Sequence, residues 1–144
     1  MRNERESETN PIQTFLDTCK GYTYGFPSDR ENGRLSCRGF VRLAYEKLLG
    51  KSLPDRYYSK EIFECVDGVV VPVDLDVQPK PFDIYCLGFP RITDPLKIHV
   101  AIYLGQDRDG KPIIHDFNRQ SGGYAENPLS DHLELFGYEF YGIR

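Results

Sequence analysis

Residues 98–117 read IHVAIYLGQDRDGKPIIHDF, two β-branched runs around a turn rich in aspartate, glycine and proline. This pattern predicts an antiparallel hairpin, with a strand over 98–105 and its return over 113–117. Side chains alternate along a strand, so Ile98, Val100, Ile102 and Leu104 share one face. His99, Ala101 and Tyr103 then occupy the other, which turns an imidazole away from the aliphatic surface. On the return strand His115 shares a face with Ile113 and Phe117. One register of the hairpin sets His115 beside His99, where it would fix the tautomer of the first ring. The sequence leaves that register open.

Upstream of the hairpin the pattern is helical. Ile12, Phe15, Leu16 and Cys19 fall at i, i+3, i+4 and i+7, with Asn10 as a cap, Pro11 in the first turn and Gly21 as a stop. Residues 21–34 are a loop by composition. A second helix is predicted from about Cys37 to Leu49, with Val41, Ala44, Tyr45 and Leu48 buried and Gly50 at its end. A turn at Pro54 precedes a short third helix near Ser59. From Val69 the grammar changes to strands: VVVPVDLDV as an edge strand or strand end, FDIYCLG, the hairpin itself, and FGYEFYGIR. Helices followed by antiparallel strands predict an α+β fold, with N-terminal helices packed on a mainly antiparallel sheet.

The 144 residues suit one domain, taken as 11–144 behind a polar lead-in, MRNERESETN (1–10), expected to be disordered. A net charge of -4 without a Lys/Arg run argues against a nucleic-acid partner. No apolar run approaches the roughly 20 residues of a membrane span. The lead-in has no apolar core and does not read as a Sec signal peptide. The expectation is synthesis in the cytoplasm, with any export left to another route. The four cysteines, at 19, 37, 65 and 86, form no C-x-x-C pair and are taken as free thiols. The cysteines and three histidines fall at no recognised zinc spacing.

Cys37 stands apart because it opens a helix. First-turn N–H groups lack intrahelical partners and the helix dipole favours negative charge there, so a thiol at that position is readily ionised. Paired with His99 it would form a thiolate–imidazolium couple, with the same turn as an oxyanion site. A structural role is the alternative for each candidate: a buried thiol at Cys37, a satisfied ring at His99, a solvated pair at His115 and Asp116. His132 lies in SDHLEL, where Ser130 or Asp131 caps a short helical turn, and is assigned no chemistry.

Four segments in this order resemble the NlpC-type cysteine peptidases: YTYG from Tyr22, SCRGFVRLAYEKLLGKSLP from Ser36, FDIYCLG, and HVAIYLG followed by IIHDF. The stretch VRLAYEKLLGKSLPDRYY is similar to the branch found in phage tails and prophages. The resemblance covers residues from about 12 onward and implies a compact papain-like fold. It implies Cys37 as nucleophile, His99 as base, His115 as its orienting partner and Tyr22 as a neighbour of the thiol. The implied substrate is an amide bond in peptidoglycan stem peptides, cleaved without metal or cofactor. Ser36 and Arg38 replace the family's usual Asp and Ser around the cysteine, where wall-recycling members hold the free amine of the stem peptide. Phe82 replaces a glycine before the later aspartate. These departures keep two other readings open: a catalytically silent binding or phage-tail module, and an amidase of the same fold on a non-wall substrate. Phage-tail or secretion-machine proteins are the partners such a delivered protein would have.

Overall fold

The hairpin forms the middle of a seven-stranded sheet. The computed structural model describes residues 11–25, 28–53, 59–65, 68, 70–88 and 98–144. The 1–10 lead-in, the Asn10 cap, the Pro54 turn and Val69 lie outside the described residues. In chain order the elements are α1 (Pro11–Cys19), β1 (Thr23–Tyr24), β2 (Arg34–Leu35), α2 (Cys37–Ala44), α3 (Ser59–Phe63), β3 (Ile84–Gly88), β4 (Ile98–Gln106), β5 (Pro112–Asn118), β6 (Gly123–Pro128), α4 (Leu129–Glu134) and β7 (Glu139–Ile143). The sheet runs β2-β1-β6-β5-β4-β3-β7. Only β1 and β2 pair in parallel; the other ladders are antiparallel. The class is α+β, as the order of elements predicts.

Each face of the sheet carries its own core. On one face Phe15, Leu16, Phe40, Val41 and Ile62 from the three N-terminal helices meet Ile98, Val100, Ile102 and Phe117. Phe40 is the hub, 5.9 Å from the Phe15 ring and 5.3 Å from Phe117. The other face gathers Tyr85, Leu87, Ala101, Tyr103, Ile114 and Tyr138, against Leu129 and Leu133 of α4. The alternation along β4 therefore separates two apolar layers rather than an apolar from a wet one. Among the described residues, no helix is long and apolar enough to cross a membrane.

Three local expectations change. The helix from Cys37 ends its α-helical part at Ala44 and continues as a π turn over Tyr45–Leu49, closed by Gly50 at φ 65°. The Tyr45 hydroxyl donates to the Phe82 carbonyl at 2.8 Å, which ties this wider turn to the approach to β3. The described part of VVVPVDLDV, from Val70, is not a strand. Pro72 has no N–H for a ladder, Asp74 accepts from the Asp76 N–H in a local turn at 2.9 Å, and Leu75 is left 62% exposed. Finally, GYAENP supplies a strand, β6, which the sequence pattern does not announce. It has no strict alternation of apolar residues and contains a glycine and a proline, yet it pairs along β5 from Ile113↔Pro128 to Asn118↔Gly123.

The start of α2 is a tightly built joint. Ser36 is its N-cap and accepts from the Gly39 N–H at 3.0 Å. Such a cap contributes about 1 kcal/mol. Ser28 locks the cap from the preceding loop: its Oγ accepts from the Ser36 N–H at 2.8 Å and lies 3.0 Å from Ser36 Oγ. A Cβ at position 39 would stand 2.0 Å from Ser28 Oγ. Gly39→Ala is therefore expected to push Ser28 off the cap and lower unfolding free energy by about 1–3 kcal/mol. A urea titration measures it, and an unchanged midpoint would show that Ser28 can move away at no cost.

Candidate active site

Cys37 is the first residue of α2 and is 7% exposed. Its thiol lies within hydrogen-bonding reach of the His99 ring. His99 is the second residue of β4, so the contact joins the first turn of α2 to the start of that strand. The far side of the imidazole is engaged by Asp116: Nε2 and Oδ2 are 2.6 Å apart, with both side chains buried. That spacing is the short end of a charge-assisted hydrogen bond. A second imidazole, His132 of α4, brings its Nε2 to 3.2 Å from the same oxygen. The Tyr138 ring covers both, at 5.1 Å from His99 and 5.4 Å from His132.

The residue hydrogen-bonded to His99 Nε2 is thus Asp116, while His115 is bonded to Tyr124. The reason is one residue of register. On the turn side of the hairpin Gly105 pairs with Ile113, but further in Tyr103 pairs with Ile114 and Ile102 with His115. Leu104 is the extra residue, a β-bulge beside Gly105, whose φ of 150° suits glycine. Without the bulge, counting back from the turn puts His115 on the face of His99. With it, His115 shares the face of Ile102, and its neighbour Asp116 turns to His99. His115 is instead buried on the helix side, with Nδ1 2.7 Å from the Tyr124 hydroxyl. Burial lowers its pKa, against the weaker opposing charges of Glu126 and Asp116.

The other expected residues also move. Tyr22 packs at the margin of the helix-side core. Burial raises the pKa of Tyr24, a Cys37 thiolate raises it further, and Arg119 pulls it back. The Arg119 guanidinium lies 5.8 Å from the Tyr24 ring centre. Ser36 is 1% exposed and Arg38 8%, about as buried as Cys37 itself. Ser36 is spent as the helix cap. Tyr24, Asp116, His132 and Tyr138 are the site residues that sequence patterning missed. A bulge at Leu104 was the one signal that would have found Asp116, and it leaves no mark in the alternation.

Electrostatics favour an ion pair. Burial opposes charge on His99, but a Cys37 thiolate and the Asp116 carboxylate together raise its pKa, to about 10. Burial also pushes the Asp116 carboxyl up, yet the bonds and charges of His132 and His99 hold it down at about 2. His99, Asp116 and His132 offer ligand atoms within 4.8 Å of one another, a spacing that a metal ion accepts. Two imidazoles hydrogen-bonded to one carboxylate account for that convergence without an ion. In chemical terms the arrangement is a thiol beside an imidazole that is hydrogen-bonded to a buried carboxylate. Comparison with models of known protein families and with curated protein sequences returned no match, so the assignment of this site rests on its geometry.

Proposed function

We propose that this chain is a cysteine peptidase or amidase of the NlpC type, with a papain-like arrangement of helices on the sheet, and that it cleaves amide bonds in peptidoglycan stem peptides. The observation that carries the reading is the 2.6 Å bond from buried Asp116 to His99 Nε2, on a ring whose other side serves Cys37. Thiol, imidazole and buried carboxylate in that order match the roles of an activated nucleophile, its base and the group that orients the base. With Nε2 committed to Asp116, Nδ1 is the nitrogen that exchanges a proton with the thiol.

The reaction follows. The Cys37 thiolate attacks the amide carbonyl, and negative charge on its oxygen develops at the N-terminus of α2, where the helix dipole favours it. The C–N bond breaks as His99 gives its proton to the leaving amine. Water then attacks the thioester while His99 takes up its proton. The acid product leaves and the thiolate–imidazolium pair is restored.

Alkylation of the four thiols from pH 5 to 10, read by peptide mass spectrometry, tests the reading. Burial pushes the Cys19 and Cys86 thiols up to about 12, so these two serve as unreactive references. Cys37 is expected to react at pH 6 at least about tenfold faster than an ordinary thiol, which at that pH is almost wholly protonated. Reaction of Cys37 only above about pH 8 would remove the activated nucleophile and leave a silent binding module as the better reading.

One observation favours a second substrate reading. Ser36 and Arg38, at the positions where wall-recycling relatives of the resemblance hold the amine of the stem peptide, are both buried. A same-fold amidase on a non-wall substrate accommodates that difference. A panel of stem peptides with free and blocked amines, set beside protein isopeptides, separates the two.

A further inference from the structure

We infer that His132 is a positioning residue of this site: by donating Nε2–H to Asp116 Oδ2 it keeps the carboxylate ionised and aimed at His99, so that the working unit has four members, Cys37, His99, Asp116 and His132. The inference rests on the reading of Cys37 and His99 as a thiolate–imidazolium pair.

Asp116 is the group on which both imidazoles converge. Its side chain is wholly buried, and a buried carboxylate stays charged only when its oxygens are well satisfied. Among the described residues, Oδ1 has one long bond, from Asn118 Nδ2 at 3.3 Å. The other bonds converge on Oδ2, which receives His99 at 2.6 Å and His132 at 3.2 Å. When His99 gives its Nδ1 proton to the leaving amine it loses its positive charge and faces the carboxylate only as a neutral Nε2–H donor. At that moment His132 is the second donor that keeps Oδ2 satisfied.

The surroundings fix His132 in this duty. It sits on the six-residue α4, directly after β6, which pairs with the strand carrying Asp116. Its ring is held edge-on to Phe136 at 5.5 Å and against Tyr138 at 5.4 Å. Its Nδ1 is 3.5 Å from the Pro128 carbonyl. The ring is 1% exposed, and its Nε2 is taken up by Asp116. Tyr138 lies over His99 as well, and both imidazoles are thereby clamped against one carboxylate oxygen under one aromatic cover. A histidine needed merely to fill space would not require a nitrogen directed at a buried anion.

The test uses the whole chain and the alkylation profile of Cys37 by iodoacetamide from pH 5 to 10. Wild type, His132→Phe and His132→Gln are compared. His132→Phe keeps the ring volume but removes the donor, and the Cys37 rate at pH 6 is expected to fall at least about tenfold, the effect of one pH unit on an ionisation. The rates of wild type and His132→Phe are expected to converge at pH 10, where thiols ionise unaided. His132→Gln restores a donor and is expected to stay within about threefold of wild type at pH 6. A His132→Phe profile that superimposes on wild type overturns the inference while leaving the Cys37–His99 reading intact. A wild-type Cys37 no faster than an ordinary thiol at pH 6 overturns both. Should His132→Phe fail to fold, imidazole 15N spectra of wild type decide. A protonated Nε2 on His132, in slow exchange, supports the inference, and a ring protonated on Nδ1 alone overturns it.

Discussion

Cys37→Ala is expected to abolish turnover and, in the same variant, to lower the pKa of His99. The first effect follows from the reaction: without sulfur there is no acyl-enzyme, and loss of a nucleophile from a working unit costs at least about 10⁴-fold. The second effect distinguishes an ion pair from two neighbours that merely touch. His99 is fully buried, which disfavours its charge, and a Cys37 thiolate is the leading influence that restores it. An opposite charge in contact moves a pKa by about one to three pH units. Removing it leaves Asp116 alone to oppose burial. Nuclear magnetic resonance titration of the His99 ring in wild type and Cys37→Ala measures the difference. Unfolding should be little affected, because alanine removes one atom at a helix terminus that is capped by Ser36 rather than by the cysteine. Residual turnover near the wild-type rate would end the nucleophile assignment. An unchanged His99 titration would instead point to a neutral thiol, with His99 acting as a base at the moment of attack.

The pieces of this site were unequally legible in the sequence. Cys37 could be placed at a helix start because the apolar stripe behind it and Gly50 ahead of it bracket a helix. His99 could be assigned to a face because alternation in IHVAIYLG is strict, and the structure keeps that alternation, with Ile98, Val100 and Ile102 in one core and Ala101 and Tyr103 in the other. Asp116 was hidden by parity. A strand's facing changes with every residue, so one bulged leucine exchanges the roles of His115 and Asp116, and bulges are set by local twist rather than by composition. His132 was hidden by distance: a six-residue helix with no side-chain cap has little local signal, and it is held by packing on β5 and β6. The VPVDLDV segment failed for another reason. Its β-branched content satisfies strand propensity, but propensity acts through packing, and Val71, Leu75 and Val77 find no core to enter.

Asp116→Ala is expected to do more damage than any change at His115. It leaves two buried imidazoles aimed at a void, and breaking a buried charge pair by removing one partner costs about 3–5 kcal/mol of stability. Activity should fall about 10²–10⁴-fold, because the His99 ring loses both its orientation and the anion that stabilises its charged form. Asp116→Asn is the informative intermediate. Its amide oxygen can still accept from His99, so orientation survives while the negative charge does not. The pH dependence separates the two. Asp116 has its pKa depressed to about 2 in the folded chain, against about 3.9 in an unfolded one. Its contribution to stability is therefore complete above about pH 4 and lost as pH falls through 2. His99 is shifted the other way, to about 10 from about 6.5, so its contribution is present below pH 6.5 and lost as pH rises through 10. Wild-type stability should decline on both sides of this window, whereas Asp116→Asn should lose the Asp116 share of the acid-side decline. His115→Phe, by contrast, disturbs only the bond to Tyr124 and the packing around it, and should leave the alkylation profile of Cys37 within about threefold of wild type while costing about 1–3 kcal/mol. Urea titrations across pH and Cys37 alkylation rates in the three variants decide the matter. If His115→Phe silences the thiol and Asp116→Asn does not, the orienting role belongs to His115, and the bulge at Leu104 is not what sets the chemistry of this hairpin.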